Sequence, residues 1–146
     1  MFNRIRNRLR RTHQITKEEK IEEIEESKMV KFVIVSTHGN DNFERASMAW
    51  AVANAAHVLD AEVVMFLQAE GVNVVRKDFC KGWVFPPFTP LEDLISNFME
   101  MGGKVFACVP CVEAREIKKE DYIDGVKLAG ATTLLAESVD AKVFTY

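Results

Sequence analysis

The stretch Lys104-Val105-Phe106-Ala107-Cys108-Val109-Pro110-Cys111-Val112-Glu113-Ala114-Arg115 decides the fold. Its first half, VFACV, is an uninterrupted apolar run of strand length, and such a run belongs to a strand covered on both faces. Its second half opens with Pro110, whose fixed φ and missing N–H suit the first turn of a helix. A buried strand that runs into a helix start is one βα unit, and repeated βα units build a parallel sheet.

The same texture extends in both directions from this stretch. From Lys31 onward, short apolar or β-branched runs alternate with helical stretches. Strands are expected near 31–36 (KFVIVS), 62–67 (EVVMFL), 104–109 (KVFACV), 125–129 (GVKLA) and 142–146 (KVFTY). Helices are expected near 42–59, 91–101, 111–119 and 130–139. The fold class is therefore α/β, a three-layer α/β/α sandwich with a mostly parallel sheet of about five strands. The chain has 146 residues, 48% hydrophobic and 28% charged, which suits one domain.

Residues 1–28 read differently. They hold eight Lys/Arg against six Glu, first Arg-rich (NRIRNRLRR) and then Glu/Lys-rich, with only sparse apolar spacing. They are expected to be a charged extension outside the core, with residues 29–146 forming the α/β domain. A sharper reading makes Phe2, Ile5 and Leu9 one side of a helix that docks on a partner or an anionic surface. The net charge of −3 leaves −5 on the rest of the chain, the wrong sign for neutralising phosphates, so no nucleic acid is expected as a partner. No apolar run approaches the roughly 20 residues that cross a bilayer, and no signal-type stretch opens the chain, so the expected location is the cytoplasm.

Helix 42–59 carries no Asp, Glu, Lys or Arg between Ala46 and Val58. Its spacing sets Met48, Val52, Ala55 and Leu59 on one face and Phe43, Trp50 and His57 on the other. A helix apolar around most of its girth needs cover from two sides. The Trp50 side is expected to meet another copy of the chain, unless residues 72–90, rich in aromatics and holding three of the four prolines, fold over it.

Ligands of doubly wound sheets bind beyond the carboxyl ends of the strands, which directs attention to the loops there. Cys108 falls at a strand end and Cys111 at a helix start, where free N–H groups and the helix dipole favour a thiolate. Arg115, about one turn on, adds positive charge for an anionic sulfur species. His38, on the loop after the first strand, is a candidate base, and Gly71 is expected to supply a tight turn after Glu70. Asn40 or Asp41 is expected to cap the first helix. Persulfide sulfur transfer and dithiol–disulfide exchange both fit C-V-P-C, while two buried structural thiols would be the inert alternative. Zinc lacks a second ligand pair, and the loop THGND lacks G-x-G-x-x-G, so neither a metal nor a dinucleotide cofactor is expected.

C-V-P-C-V-E-A-R (108–115), the G-V-K-L-A-G turn (125–130), the terminal K-V-F-T-Y, S-T-H-G-N-D-N-F-E-R-A (36–46) and L-Q-A-E-G-V (67–72) together resemble the DsrE/DsrF-like sulfur-relay family, its YchN-like branch in particular. The resemblance covers roughly Lys31 to Tyr146. It implies a parallel α/β/α sandwich, assembly into homo-trimers or hexamers, and a cysteine that carries sulfur as persulfide between donor and acceptor proteins. By position before the Ala-Arg pair, Cys108 matches the sulfur-carrying cysteine of the TusD/DsrE branch and Cys111 the second cysteine of YchN-like members. The family usually has Gly after that Arg, where this chain has Glu116. The expected function is sulfur carriage by Cys108 and Cys111, with a non-enzymatic small-ligand-binding assembly or a thiol–disulfide redox protein as alternatives.

Overall fold

The computed structural model describes residues 16–18, 20 and 29–146, so the charged extension, with Phe2, Ile5 and Leu9, lies almost wholly outside the described residues. Five parallel strands, β1 (Lys31–Ser36), β2 (Glu62–Leu67), β3 (Lys104–Cys108), β4 (Val126–Ala129) and β5 (Lys142–Thr145), lie in the order β4-β3-β2-β1-β5. Helices α1 (Phe43–His57), α2 (Leu91–Glu100), α3 (Val109–Glu113) and α4 (Ala131–Ser138) connect them. A short 3₁₀ turn, Ala69–Asn73, follows β2, and another, Lys119–Asp121, precedes β4.

The order follows from the handedness of βαβ crossovers. The steps β1→β2→β3→β4 all run one way across the sheet, so right-handed connections put their helices on one face. The step β4→β5 returns past three strands, which puts α4 on the other face. Lys31, at the start of β1, ties α4 there through Glu137 at 2.6 Å, while Glu62 bridges Lys31 and Lys104. Register sets Ile34, Met65 and Val105 on one side and Val33, Val64, Phe66, Phe106 and Cys108 on the opposite side. Val33, Ile34, Val64, Met65 and Phe66 are all fully buried, so both faces of the central strands are covered and the continuous apolar runs are explained.

Helix α1 corrects one expectation. Trp50 is fully buried against Phe98 of α2, ring centroids 5.4 Å apart, and Phe43 meets Trp83 and Phe85 of the long connection at 5.1 and 6.1 Å. The Trp50 side is therefore core of its own chain, not a contact with another copy. The other side is the open one, ending in Val58 at 79% and Leu59 at 66% exposure. The periodicity was right about two apolar faces, but a large aromatic goes where two helices can enclose it, and that is beside α2.

The predicted helix 111–119 is also corrected. Helix α3 stops at Glu113, because Glu116 turns into the left-handed region at φ 52°. The N–H of Ile117 then reaches the Val112 carbonyl at 3.2 Å and that of Glu116 reaches Glu113 at 3.0 Å, a Schellman ending. Ile117 drops into the core beside Val112, and this burial favours the turn over another helical turn. The first-helix cap is Asn42, whose Oδ1 accepts the Arg45 N–H at 3.1 Å, rather than Asn40 or Asp41. Remaining boundaries differ by one or two residues.

Two outcomes follow. Trp50→Ala lowers the unfolding free energy in urea by about 3–5 kcal/mol; a loss below about 1 kcal/mol would remove Trp50 from the core. Glu116→Gly, which relieves a left-handed non-glycine residue but loosens the unfolded chain, raises it by about 0.5–1 kcal/mol, and a decrease would contradict the turn geometry.

Candidate functional site

Cys108 closes β3 in extended conformation, and α3 starts at the next residue with Pro110 in its first turn and Cys111 directly after it. The two cysteines therefore face different surroundings. Cys108 is buried on the sheet, and burial pushes its thiol up; the Cys111 backbone N–H pulls it down less strongly, and the Cys111 side chain, hydrogen-bonded to it, pushes it up again. Cys111 is half-exposed on the rim. The backbone N–H of Ala69 donates to Cys111 Sγ at 3.2 Å, which gives that sulfur a fixed donor from the loop after β2.

That donor is placed by an unusual backbone. Ala69 has φ 47°, a left-handed conformation costly for a residue with a Cβ, and it begins the 3₁₀ turn. The turn lies hard against the loop after β1. A Cβ on Gly71 would come within 2.3 Å of the Ser36 carbonyl oxygen, and one on Gly39 within 2.6 Å of that of Glu70. The Gly71 N–H donates to Gln68 at 2.9 Å and to Thr37 at 3.3 Å. Gly71 thus serves close approach of two loops as well as turning the chain, and Gly39 is its counterpart on the other loop.

Arg115 reaches back across the site. Its Nε and Nη2 both donate to Glu70 Oε1, at 3.0 and 2.6 Å, and its Nη1 donates to the Cys111 carbonyl at 3.1 Å. Asn73 donates to the other Glu70 oxygen at 2.9 Å and accepts from Arg76 at 3.3 Å. The network holds two guanidinium groups and one carboxylate, a net +1 beside the cysteine rim. Glu70, Asn73 and Arg76 were not singled out from the sequence. The only signal was that Glu70 precedes Gly71 in a loop after a strand, and its pairing with a residue 45 positions away leaves no local pattern.

His38 is engaged differently. Its Nδ1 is 2.7 Å from Asp41 Oδ2, and the same carboxylate accepts the Gly39 N–H at 2.8 Å. Burial alone would raise the Asp41 carboxyl, but the Gly39 and His38 hydrogen bonds outweigh it and hold Asp41 below its ordinary range. His38 thus pairs with Asp41 on its own loop, while Cys108, Cys111, Arg115 and Gly71 converge with Ala69 and Glu70. The third thiol, Cys80, is buried away from them; burial and the Glu92 charge push it up to about 11. Among the described residues, no three His, Cys, Asp or Glu side chains cluster as metal ligands would, and no helix is long and apolar enough to cross a membrane.

This arrangement can be compared with known proteins. Residues 30–145 match the model of the DsrE/DsrF-like family. The chain is 36% identical over 107 residues to the uncharacterized protein MJ0989 of Methanocaldococcus jannaschii, covering 73% of this chain and 90% of that protein. It is 29% identical over 118 residues to MJ0760 of the same organism, covering 81% of this chain but only 43% of that longer protein. Among solved structures, the fold is shared with the ychN protein of E. coli at a TM-score of 0.67 and 21% identity, covering 81% of this chain and all of that one. A protein of unknown function from Methanobacterium thermoautotrophicum, MTH1491, aligns at a TM-score of 0.57 and 13% identity, covering 81% and 99%. A sheet of five parallel strands, a rim built around a C-V-P-C segment, and a family match from the first strand to the last agree: the chain belongs to the DsrE/DsrF-like family.

Proposed function

We propose that the protein is a sulfur carrier that holds sulfur as a persulfide on Cys111, with Cys108 behind it. One observation carries the reading: Cys111 is part-buried at the sheet rim and its Sγ accepts a backbone N–H from Ala69, while Cys108 is buried and its thiol is pushed up. A nucleophilic sulfur needs access and a donor that can meet its anion, and Cys111, part-buried at the rim, accepts the Ala69 N–H. This reverses the division that position within the family implies, where Cys108 carries the sulfur.

The chemistry balances without a redox partner. The Cys111 thiolate attacks the outer sulfur of a donor persulfide, R–S–SH. The donor S–S bond breaks, R–S⁻ leaves with the electron pair, and Cys111 keeps the outer sulfur with its proton. An acceptor thiolate then takes that sulfur, and Cys111 leaves as thiolate. Cys108, at the end of the strand that leads into the Cys111 helix, allows a branch from this path. Cys108 attacks the inner sulfur, HS⁻ is released, and a Cys108–Cys111 disulfide remains. Homo-oligomeric assembly, donor and acceptor proteins as partners and a cytoplasmic location accompany this reading; a binding assembly without catalysis is the competing one.

Intact mass after incubation with inorganic polysulfide tests the carrier role. One reducible sulfur is gained by Cys108→Ser and not by Cys111→Ser, while the wild type shows either that sulfur or, after loss of HS⁻, the Cys108–Cys111 disulfide; no gain in Cys108→Ser would sink the proposal. Alkylation resolved by site should find Cys111 reacting at least tenfold faster than Cys80 at pH 7–8. The sign is set by Cys80 itself: a thiol pushed up to about 11 stays protonated through neutral pH and gains reactivity only as the pH climbs toward that value. Equal rates at neutral pH would contradict the assignment.

A further inference from the structure

The 3₁₀ turn Ala69–Asn73 is held from two sides. Toward β1, the bare Cα of Gly71 lies against the Ser36 carbonyl, and the Gly71 N–H donates to Thr37 at 3.3 Å. Toward α3, one oxygen of the Glu70 carboxylate accepts Arg115 Nε and Nη2 at 3.0 and 2.6 Å, and the other accepts the Asn73 amide at 2.9 Å. The same guanidinium donates through Nη1 to the Cys111 carbonyl at 3.1 Å. Glu70 is thus fastened to the backbone of the very residue whose sulfur accepts the Ala69 N–H at 3.2 Å, and Ala69 is its neighbour along the chain.

These contacts close a ring: from the Ala69 N–H to Cys111 Sγ, through Cys111 to its carbonyl, across Arg115 to the Glu70 carboxylate, and back along one peptide to Ala69. Its members are unequal. Sulfur is a weak acceptor, and Ala69, left-handed at φ 47°, keeps that conformation only while its surroundings over-determine it. Charge-assisted bonds such as those of Arg115 to Glu70 are roughly twice as strong as neutral ones. The ion pair therefore holds the N–H···S contact, and not the reverse. With side chains 28% and 34% exposed, Arg115 and Glu70 meet where water damps the contribution of an ion pair to stability, so the pair matters for where the turn lies more than for whether the chain folds.

We propose that Glu70 is a positioning residue of the carrier site: its carboxylate, pinned to Arg115 and Asn73, holds the Ala69 N–H on the Cys111 sulfur. This rests on the carrier reading above and adds to it the group that places the donor. Charge and position act in opposite directions here, which makes the role separable. Neutralising Glu70 leaves the Arg115 charge unmatched, and charge alone would then make Cys111 react faster. Releasing the clamp lets the turn relax away from α3, and the loss of the donor makes Cys111 react more slowly.

The test uses the full chain with Cys80→Ser and Cys108→Ser, so that Cys111 is the sole thiol, with and without Glu70→Gln, which keeps the shape of the side chain and removes its charge. Two quantities are read: the rate of alkylation of Cys111 by iodoacetamide at neutral pH, and the exchange of the Ala69 and Gly71 amide protons by nuclear magnetic resonance. The expected result is alkylation roughly fivefold slower in Glu70→Gln, with faster exchange at Ala69 and unchanged exchange at Gly71, which the β1 side still holds. Faster alkylation, a rate within about twofold of the parent, or slowing without faster exchange at Ala69 overturns the role of Glu70 alone. Should Glu70→Gln not fold, Glu70→Asp, which keeps the charge and shortens the reach, decides by the same two readouts; if neither folds, the pair is structural and the assignment is overturned. The parent is first incubated with glutathione persulfide and weighed intact, and its failure to gain a sulfur overturns the proposed function together with this role.

Discussion

The approach of the Ala69–Asn73 turn to the end of β1 is the constraint on which the rim depends. Gly71 sits where any Cβ would strike the Ser36 carbonyl, and Gly39 where one would strike the Glu70 carbonyl. With both positions bare, two loops from neighbouring strands lie in contact, and the first residue of the turn is forced into a left-handed conformation. That forced residue, Ala69, points its N–H at Cys111. Backbone donors cannot be moved by rotamer changes, so the Ala69 N–H meets the Cys111 sulfur in a fixed position. The cost is borne by local strain, and strain of this kind persists where the surrounding structure over-determines it.

Much of this architecture was legible before any coordinates. Parallel strands buried on both faces read as near-continuous apolar runs, and EVVMFL and KVFACV are such runs; their order then follows from crossover handedness and chain order. The cysteine rim was legible for a different reason, since Pro110 and the end of an apolar run together mark a strand-to-helix junction. Three features were not. The Glu116 turn uses a residue with no intrinsic preference for φ above zero, and only the burial of Ile117 two steps later makes it favourable. The side of α1 that turns inward depends on where α2 lies, which periodicity within one helix does not encode. The Glu70–Arg115 pair joins residues from loops after two different strands.

Arg115 illustrates how a residue singled out for its spacing can be engaged differently in the structure. Sequence spacing makes it a cation one turn beyond Cys111, available to an incoming anion. In the structure two of its nitrogens hold Glu70 and a third holds the Cys111 carbonyl, so it acts first as a clamp between α3 and the Ala69–Asn73 turn. Its charge is matched by that of Glu70, and Arg76, joined through Asn73, leaves the network at net +1. A site of net +1 tolerates one bound anion without the over-stabilisation that two free guanidinium groups would give. On the carrier proposal, which requires release of what is accepted, moderate attraction suits better than strong binding.

The division between the cysteines follows from strand geometry rather than from sequence order. Alternation along β3 sends Cys108 to the same side of the sheet as Phe106, whose packing against Phe66 leaves little room for a second protein's thiol to approach. Cys111 lies past the strand end, where the chain has turned into α3 and the rim is open. On the carrier proposal, a donor or acceptor protein meets Cys111 first, whichever cysteine comes first along the chain. Cys108 is buried, and its raised thiol makes it a slow nucleophile. On the carrier proposal, burial of the second thiol works as a delay that gives an external acceptor the advantage over internal disulfide formation.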